Sequence, residues 1–205
     1  MSATAPAKRR GRKRLASTEA ILDAARAVFL AEGYRAAGMR AIAAKAGLAV
    51  GSLYTYFPDK AALVGELVER ILGEMAQAVR GGIGRAQGAT ARLRAGPLAM
   101  LDFFGARPLD FALFQALRKG ELPEAVERRL NGRLIAALTP MANAIAAASG
   151  LPPKACEAEA VARLAAVVGA LLLDSTGRLA ALGQTPAALV AHDVDSFAKR
   201  FEDRR

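Results

Sequence analysis

Cysteine, histidine and aromatic residues are scarce in this 205-residue chain. Aromatic residues make up 5% of it, tryptophan is absent, and there is one cysteine and one histidine. Because the only cysteine, Cys156, has no partner in the chain, an internal disulfide is excluded and a reducing compartment is favoured. A metal site on His192 would lack the usual His and Cys ligands, so we predict no metal and no other cofactor. A nucleophile–base pair cannot be assembled either, which argues against an enzyme.

Long hydrophobic runs are also missing. The longest strongly apolar run, residues 164–173, has about half the length that a helix needs to span a bilayer. The charged N-terminal region is not followed by an apolar segment, so it does not form a secretory signal. These absences predict a soluble, cytoplasmic protein without a membrane partner.

What the chain does contain is apolar residues of the helix-forming kind and an uneven distribution of charge. Apolar residues make up 53% of the chain; alanine and leucine, which favour helix, supply much of them. No segment shows the sustained alternation of a half-buried strand, so we predict an all-α fold of about nine helices. Residues 1–60 hold 11 Lys/Arg and 4 Asp/Glu, whereas residues 61–205 hold 18 and 15. This charge favours a polyanion docking on the first third, although a solubilising tail or a targeting signal has the same composition.

The first 60 residues read as a basic arm followed by short helices. Six of the seven residues from 8 to 14 are basic, and residues 1–16 lack periodicity, which predicts a disordered arm. We predict a first helix capped by Ser17 or Thr18 and ended by a left-handed Gly33. Tyr34 is expected to fold back onto this helix. Helices over 39–46 and 50–56 follow, with Gly47 in the turn between them, and Asp59 caps a fourth. Two short helices joined by a glycine turn are typical of a helix-turn-helix DNA reader.

Glycine and proline punctuate the remainder of the chain. The three glycines at 81, 82 and 84 suggest either a phosphate-binding loop or a helix break. A phosphate-binding loop would need a preceding strand, so we predict a helix break. Pro140 is expected to kink or split its helix. Glycine at helix ends and proline near helix starts predict the later helices: 89–104, 108–118, 123–149, 153–182 and 186–203.

Residues 17–63 resemble the DNA-binding domain of the tetracycline-repressor (TetR) family of bacterial regulators. The resemblance rests on a helix, then Gly-Tyr, then I-A-x-x-A-G, then G-S-L-Y-x-Y-F-x-x-K-x-x-L, and covers about a quarter of the chain. It implies a domain order of arm 1–16, helix-turn-helix domain 17–62, and effector-binding and dimerisation domain 63–205. The residues that carry it are Ile21, Ala24, Ala25, Phe29, Gly33, Tyr34, Ile42, Ala43, Ala46, Gly47, Gly51, Leu53, Tyr54, Tyr56, Phe57, Lys60 and Leu63.

The family resemblance further implies a homodimer that represses transcription until a small effector binds. Dimer contacts are expected from the last two long helices, at Leu164, Val168, Leu171, Val190, Val194, Phe197 and Phe201. The family usually has hydroxyl residues where this chain has Ala37 and Gly38, and Ser then a polar residue where it has Ala49 and Val50. One expected consequence is the loss of two helix caps, each worth about 1 kcal/mol, together with one or two phosphate contacts.

The predicted reading helix, residues 50–56, contains no Lys or Arg, so bidentate arginine–guanine contacts cannot come from it. Ala49 and Val50 are suited to thymine methyl groups, and Ser52, Thr55 and Tyr56 to hydrogen bonds. By family resemblance, Tyr54 and Lys60 hold phosphates of double-stranded operator DNA. The arm is expected to track phosphates or enter a minor groove. The full predicted DNA-binding set is Arg12, Lys13, Arg14, Arg40, Ala49, Val50, Gly51, Ser52, Tyr54, Thr55, Tyr56 and Lys60.

Four of the eight phenylalanines fall within 12 residues, from Phe103 to Phe114. They form either a packed core or part of a pocket for an apolar or weakly polar effector. The predicted ligand set is Met100, Phe103, Phe104, Phe111, Phe114, Met141 and Leu172. Two other functions stay open at this point: a nonspecific DNA-binding protein, and a regulator with a weakened DNA head that acts through protein partners.

Overall fold

The computed structural model describes residues 17–117, 120 and 122–201. These residues form ten α-helices and a 3-10 turn without a strand, which confirms the all-α prediction. Backbone contacts divide the chain into two compact units between Pro58 and Asp59, four residues before the predicted boundary. The helices are α1 (Thr18–Glu32), α2 (Met39–Lys45), α3 (Val50–Tyr56), α4 (Lys60–Arg85), α5 (Ala89–Gly105), α6 (Pro108–Ala116), α7 (Glu124–Ser149), α8 (Glu157–Ser175), α9 (Arg178–Ala181) and α10 (Pro186–Lys199).

In the first unit, α1 provides most of the apolar core. Ser17 accepts a hydrogen bond from the Ala20 backbone N–H at 3.2 Å and thereby caps the helix. The Phe29 ring is buried and meets Tyr34 edge-on at 5.8 Å, so Tyr34 folds back as predicted. Gly33 has a positive φ of 78° but a ψ of 152°. The predicted left-handed cap is therefore wrong: the chain leaves α1 in an extended conformation that only glycine adopts easily.

A tight turn joins α2 to α3. Gly47 has φ +69°, which explains why glycine occupies this position, and the Leu48 N–H donates to the Ala43 carbonyl at 2.8 Å. Leu53 and Phe57 are buried in the first unit. Their spacing of four residues places them on one side of α3, and the opposite side is left to solvent.

The predicted helix break at residues 81–84 is wrong, because α4 runs without interruption from Lys60 to Arg85. A Cβ added to Gly82 would lie 3.0 Å from the Ala99 Cβ and 3.2 Å from the Ala95 carbonyl oxygen on α5. Gly82 therefore allows α4 and α5 to approach closely. The interruption of the helix follows at residues 86–88, just after these glycines, and Gly82 itself serves helix packing.

Helix α4 is also held against α7. A Cβ on Gly65 would lie 2.9 Å from Val126, so the two helices pack closely at this point. Beside it, Arg129 bonds to Glu66 and, at 2.7 Å, to Glu69. The hydrogen bond to Glu69, together with the negative charges of Glu66 and Glu69, raises the pKa of Arg129 above its ordinary value. These partly exposed pairs fix the register of α4 on α7 more than they add stability.

Helix α7 is continuous from Glu124 to Ser149, so Pro140 does not split it, and the alternative, a kink, stays a prediction. A further expectation about the second unit was wrong. The predicted helix 153–182 is instead a 3-10 turn at Pro153–Cys156, then α8, then the short α9. Helix α8 ends because Gly177 takes φ +70° and the Thr176 hydroxyl donates to carbonyl groups of the last turn.

Among the described residues, no helix combines the length and the apolar composition that crossing a membrane requires. Over the same residues, no group of three or more His, Cys, Asp or Glu side chains lies close enough together to hold a metal ion.

Candidate nucleic-acid interface and second-unit sites

The predicted reading surface lies on the solvent side of α3. Leu53 and Phe57 anchor the helix in the core of the first unit, and the predicted contact residues lie on its other faces. Tyr54 is 49% exposed, although it is a large aromatic residue. The exposed members are Ala49, Gly51, Tyr54 and Thr55, and the half-buried ones are Val50, Ser52 and Tyr56.

Hydrogen bonding on α3 limits what each polar group can do. The Thr55 hydroxyl donates to the Ser52 backbone carbonyl at 2.6 Å. Its proton is therefore used within the helix, and its oxygen remains as an acceptor. Ser52 has the only other short hydroxyl side chain of this helix. Apart from the tyrosine hydroxyls, this surface has few hydrogen-bonding groups and is largely apolar.

The positive charges of the predicted interface lie outside α3. Arg40 is exposed on α2, and Lys60 is the half-buried first residue of α4 in the second unit. Arg12, Lys13 and Arg14 lie outside the described residues. No charged residue occupies 49–56. A nucleic acid would therefore be attracted by charged residues outside 49–56 rather than by α3 itself.

The two missing helix caps are observed directly. Gly38 precedes α2 and Ala49 precedes α3, and neither makes a side-chain hydrogen bond to its helix. Both have the extended backbone that a capping residue requires. The loss of the caps therefore reflects the side chains rather than the backbone.

Restoring the cap at Ala49 provides a test. We expect Ala49→Ser to raise the free energy of unfolding by about 1 kcal/mol, because a serine hydroxyl accepts a bond from the first turn of α3. Chemical denaturation followed by circular dichroism measures the change. Ala44→Ser is the control, since Ala44 is exposed inside α2 and caps nothing. An equal gain from both variants would show that the missing cap is not the cause.

The predicted ligand residues do not form one lined site in this structure. Phe104 is 1% exposed, and its ring lies 5.3 Å from that of Phe103, 5.5 Å from Phe111 and 5.7 Å from Phe114. Met100 and Met141 are buried as well, whereas Leu172 is 46% exposed on α8. Most of the predicted set is therefore packed core of the second unit.

A cavity of about 350 Å³ lies instead between α4, the end of α6 and α7. It shares only Phe114 with the predicted ligand residues. No sequence pattern indicates this cavity, because its lining comes from three helices and a turn that are far apart in the chain. The lining residues are Val68, Leu72, Phe114, Leu117, Leu122, Glu127, Leu130, Asn131 and Leu134.

The residues predicted for dimer contacts separate into two groups. Val190, Val194 and Phe197 of α10 are buried inside their own chain, as is Leu171 of α8. They cannot also form the surface of a dimer, so this part of the prediction is corrected: the periodic face of α10 covers α5 and α8. Leu164, Val168 and Phe201 are half-buried.

Large apolar side chains do lie exposed on α8, at positions outside the predicted dimer contacts. Val161 is 50% exposed, and Leu172 and Leu173 are exposed nearby in the chain. Ala158 and Ala165 are also exposed and share the helical face of Val161. The α8 face is defined here as Ala158, Val161, Ala165, Gly169 and Leu172.

Comparison with known proteins agrees with this description of the first unit. The sequence pattern of bacterial regulatory proteins, tetR family, matches residues 21–67. The HTH-type transcriptional repressors KstR of Mycolicibacterium smegmatis and Mycobacterium tuberculosis are each 52% identical over 44 residues. Those residues are 22% of this chain and 22% and 20% of the two repressors, so the match spans about a fifth of each relative.

Solved structures share the fold over nearly the whole chain. A protein of unknown function from Rhodococcus sp. RHA1 superimposes with a TM-score of 0.73 at 21% identity, covering 95% of this chain and 99% of that one. FadR of Bacillus subtilis, solved with stearoyl-CoA, gives a TM-score of 0.61 at 18% identity, covering 89% and 96%. Residues 21–67 therefore carry the sequence pattern of the TetR family of bacterial regulatory proteins, and the chain shares its all-helical fold with these solved structures.

Proposed function

We propose that this protein is a ligand-responsive transcriptional repressor that binds a palindromic operator in double-stranded DNA as a homodimer. The observation that carries the proposal is the first unit. It presents an exposed, uncharged α3 surface on a buried Leu53–Phe57 anchor, in a segment that matches the family. Family and fold are those of transcription regulators rather than enzymes.

The exposed groups of α3 determine how it would contact the bases of the operator. Ala49 and Val50 present methyl groups at the start of α3, where they suit thymine methyls in the major groove. Ser52, Thr55 and Tyr56 provide the hydrogen-bonding atoms. Tyr54 and Lys60 bind phosphates and set the register, and Arg40 reaches a base edge or a phosphate. The arm adds charge from outside the described residues.

The homodimer is proposed to form through the α8 face. Gly169 supports this, because a Cβ added to it meets no atom within 4 Å. Nothing in its own chain therefore requires glycine there, although glycine in a helix costs about 1 kcal/mol relative to alanine. A second copy of α8 approaching closely would account for it. In a two-fold dimer the reading helices lie about 34–36 Å apart, or a multiple of this, to match successive turns of duplex.

The second unit is proposed to bind a small, apolar effector that relieves repression. Support comes from its helical fold, which is shared with the FadR structure solved with stearoyl-CoA. The cavity between α4 and α7 provides space for a ligand in this unit. An apolar effector is consistent with the predominance of aliphatic residues in its lining.

The missing caps at Gly38 and Ala49 favour a second candidate, a regulator whose weakened head acts through protein partners. A nonspecific DNA-binding protein is a further alternative, which the basic arm suits. The three candidates differ in how strongly the protein discriminates between DNA sequences.

The test is to select bound duplexes from a random pool with the purified protein, at a stated salt concentration. The proposal predicts an enriched, inverted repeat whose half-sites are one helical turn, or a multiple of it, apart. Enrichment without sequence preference would identify the nonspecific binder. Recovery of no DNA would favour the regulator that acts through protein partners.

A further inference from the structure

The cavity between α4 and α7 has an apolar body and a polar end. Val68 and Leu72 form its α4 wall and Leu130 and Leu134 its α7 wall, and Phe114 lies at the end of α6. The volume of about 350 Å³ is at the small end of the range of about 300–1,000 Å³ in which proteins bind small molecules. This body suits a slender hydrocarbon chain or a small ring.

Two polar side chains complete the described lining, Glu127 and Asn131, one helical turn apart on α7. The Glu127 carboxylate accepts a hydrogen bond from the Gly120 backbone N–H at 2.5 Å. The carboxylate therefore has a fixed position at the cavity. An acidic group beside an apolar slot repels a ligand carboxylate and attracts a hydrogen-bond donor.

We propose that this cavity is the effector site and that its ligand is an apolar molecule ending in a hydrogen-bond donor, a hydroxyl or an amine. The Glu127 carboxylate accepts from the donor, Asn131 adds a second polar contact, and the aliphatic walls cover the hydrocarbon. Ligands that end in a carboxylate are rejected. The ligand's role as an effector rests on the proposed function, whereas its binding to the cavity does not depend on DNA.

The position of the cavity explains how a bound ligand would affect the position of α4 on α7. Val68 and Leu72 lie on the same helix as Glu66 and Glu69, the two residues that Arg129 contacts, and within two turns of them. A ligand seated between α4 and α7 therefore lies within one or two turns of the contacts that fix their register. Occupancy is expected to alter that register and thereby the helix that begins at Lys60.

The experiment measures binding to the full chain by calorimetry with three probes of equal chain length: decan-1-ol, decylamine and decanoate. We expect the alcohol and the amine to bind and decanoate to bind at least tenfold more weakly. Glu127→Gln keeps an oxygen that accepts from Gly120 but removes the charge, so it should reduce the difference in affinity between decan-1-ol and decanoate. Glu124→Gln, on the same helix but exposed and paired with Arg128, should leave that difference unchanged.

A second pair of variants locates the site. Leu134→Trp fills the cavity and should abolish decan-1-ol binding, whereas Ile135→Trp places the same ring on the exposed side of α7 and should not. The inference is overturned if decanoate binds as tightly as the alcohol, if no probe binds, or if both tryptophan variants bind alike. Because DNA is absent from this assay, a protein that binds decan-1-ol but no operator would contradict only the proposed function.

Discussion

Gly51→Leu is expected to lower affinity for the selected operator by at least about 100-fold, a large part of the difference between specific and nonspecific binding. Gly51 is exposed on α3, has no positive φ, and has no atom within 4 Å of an added Cβ. Leucine is therefore accommodated by the protein itself, and its helix propensity favours folding by up to about 1 kcal/mol. On the proposed reading surface it would hold α3 away from the base edges.

Fluorescence anisotropy with labelled operator measures this loss, and thermal denaturation confirms that the variant is folded. Gly84→Leu is the matched control, because Gly84 is likewise an exposed helical glycine with open space around it, but lies near the end of α4. The control should bind the operator as the parent protein does. A Gly51→Leu variant that retains full operator affinity would remove α3 from the interface.

Phe104→Ala is expected to lower the free energy of unfolding by about 3–5 kcal/mol, the usual cost of removing a buried phenylalanine ring. The reason is that Phe104 is almost fully buried and contacts the rings of Phe103, Phe111 and Phe114. Such a loss is a large fraction of the stability of an ordinary domain, about 5–15 kcal/mol. Urea denaturation followed by circular dichroism measures it.

Phe114→Ala is the comparison for this prediction. Phe114 is half-buried and borders the cavity, so its removal enlarges an existing space and should cost less than half as much. Equal losses would show that the cluster is uniformly packed. A loss under about 1 kcal/mol for Phe104→Ala would contradict its place in the core.

The first unit could be predicted closely because its signals are local. Ser17 caps α1, Gly47 provides the positive φ of the turn, and Leu53 and Phe57 repeat at helical spacing. Each of these features depends on residues within about one helical turn of one another, which is the distance over which sequence patterns are informative. Among the described residues of this unit, the backbone of Gly33 and the end of α2, at Lys45, differ from the prediction.

The second unit was less predictable because the same residue type serves different purposes there. Gly82 permits close helix packing inside α4, whereas Gly177 ends α8 with a positive φ. The sequence around each does not distinguish these roles, since the first depends on a helix that is distant in the chain. The separation of buried from exposed apolar residues on α8 and α10 likewise depends on neighbouring helices.

The α3 surface and the cavity also differ in how far sequence patterns can predict them. The proposed DNA-reading residues of α3 lie within eight consecutive positions, so family resemblance and helical spacing predict them together. The cavity is lined by α4, α6 and α7, and its polar lining residues, Glu127 and Asn131, belong to no sequence motif that would predict a site. The cluster of phenylalanines, which was considered as part of a pocket, belongs mostly to the packed core beside the cavity.

The uncharged α3 surface is proposed to read bases largely through methyl groups. The most direct measurement replaces thymine by uracil, one position at a time, across the selected operator, and determines affinity at fixed salt. Uracil pairs like thymine but lacks the methyl group. We expect affinity to fall by about 0.8 kcal/mol, about fourfold, at symmetry-related positions in the two half-sites. Unchanged affinity at every thymine would contradict this proposal.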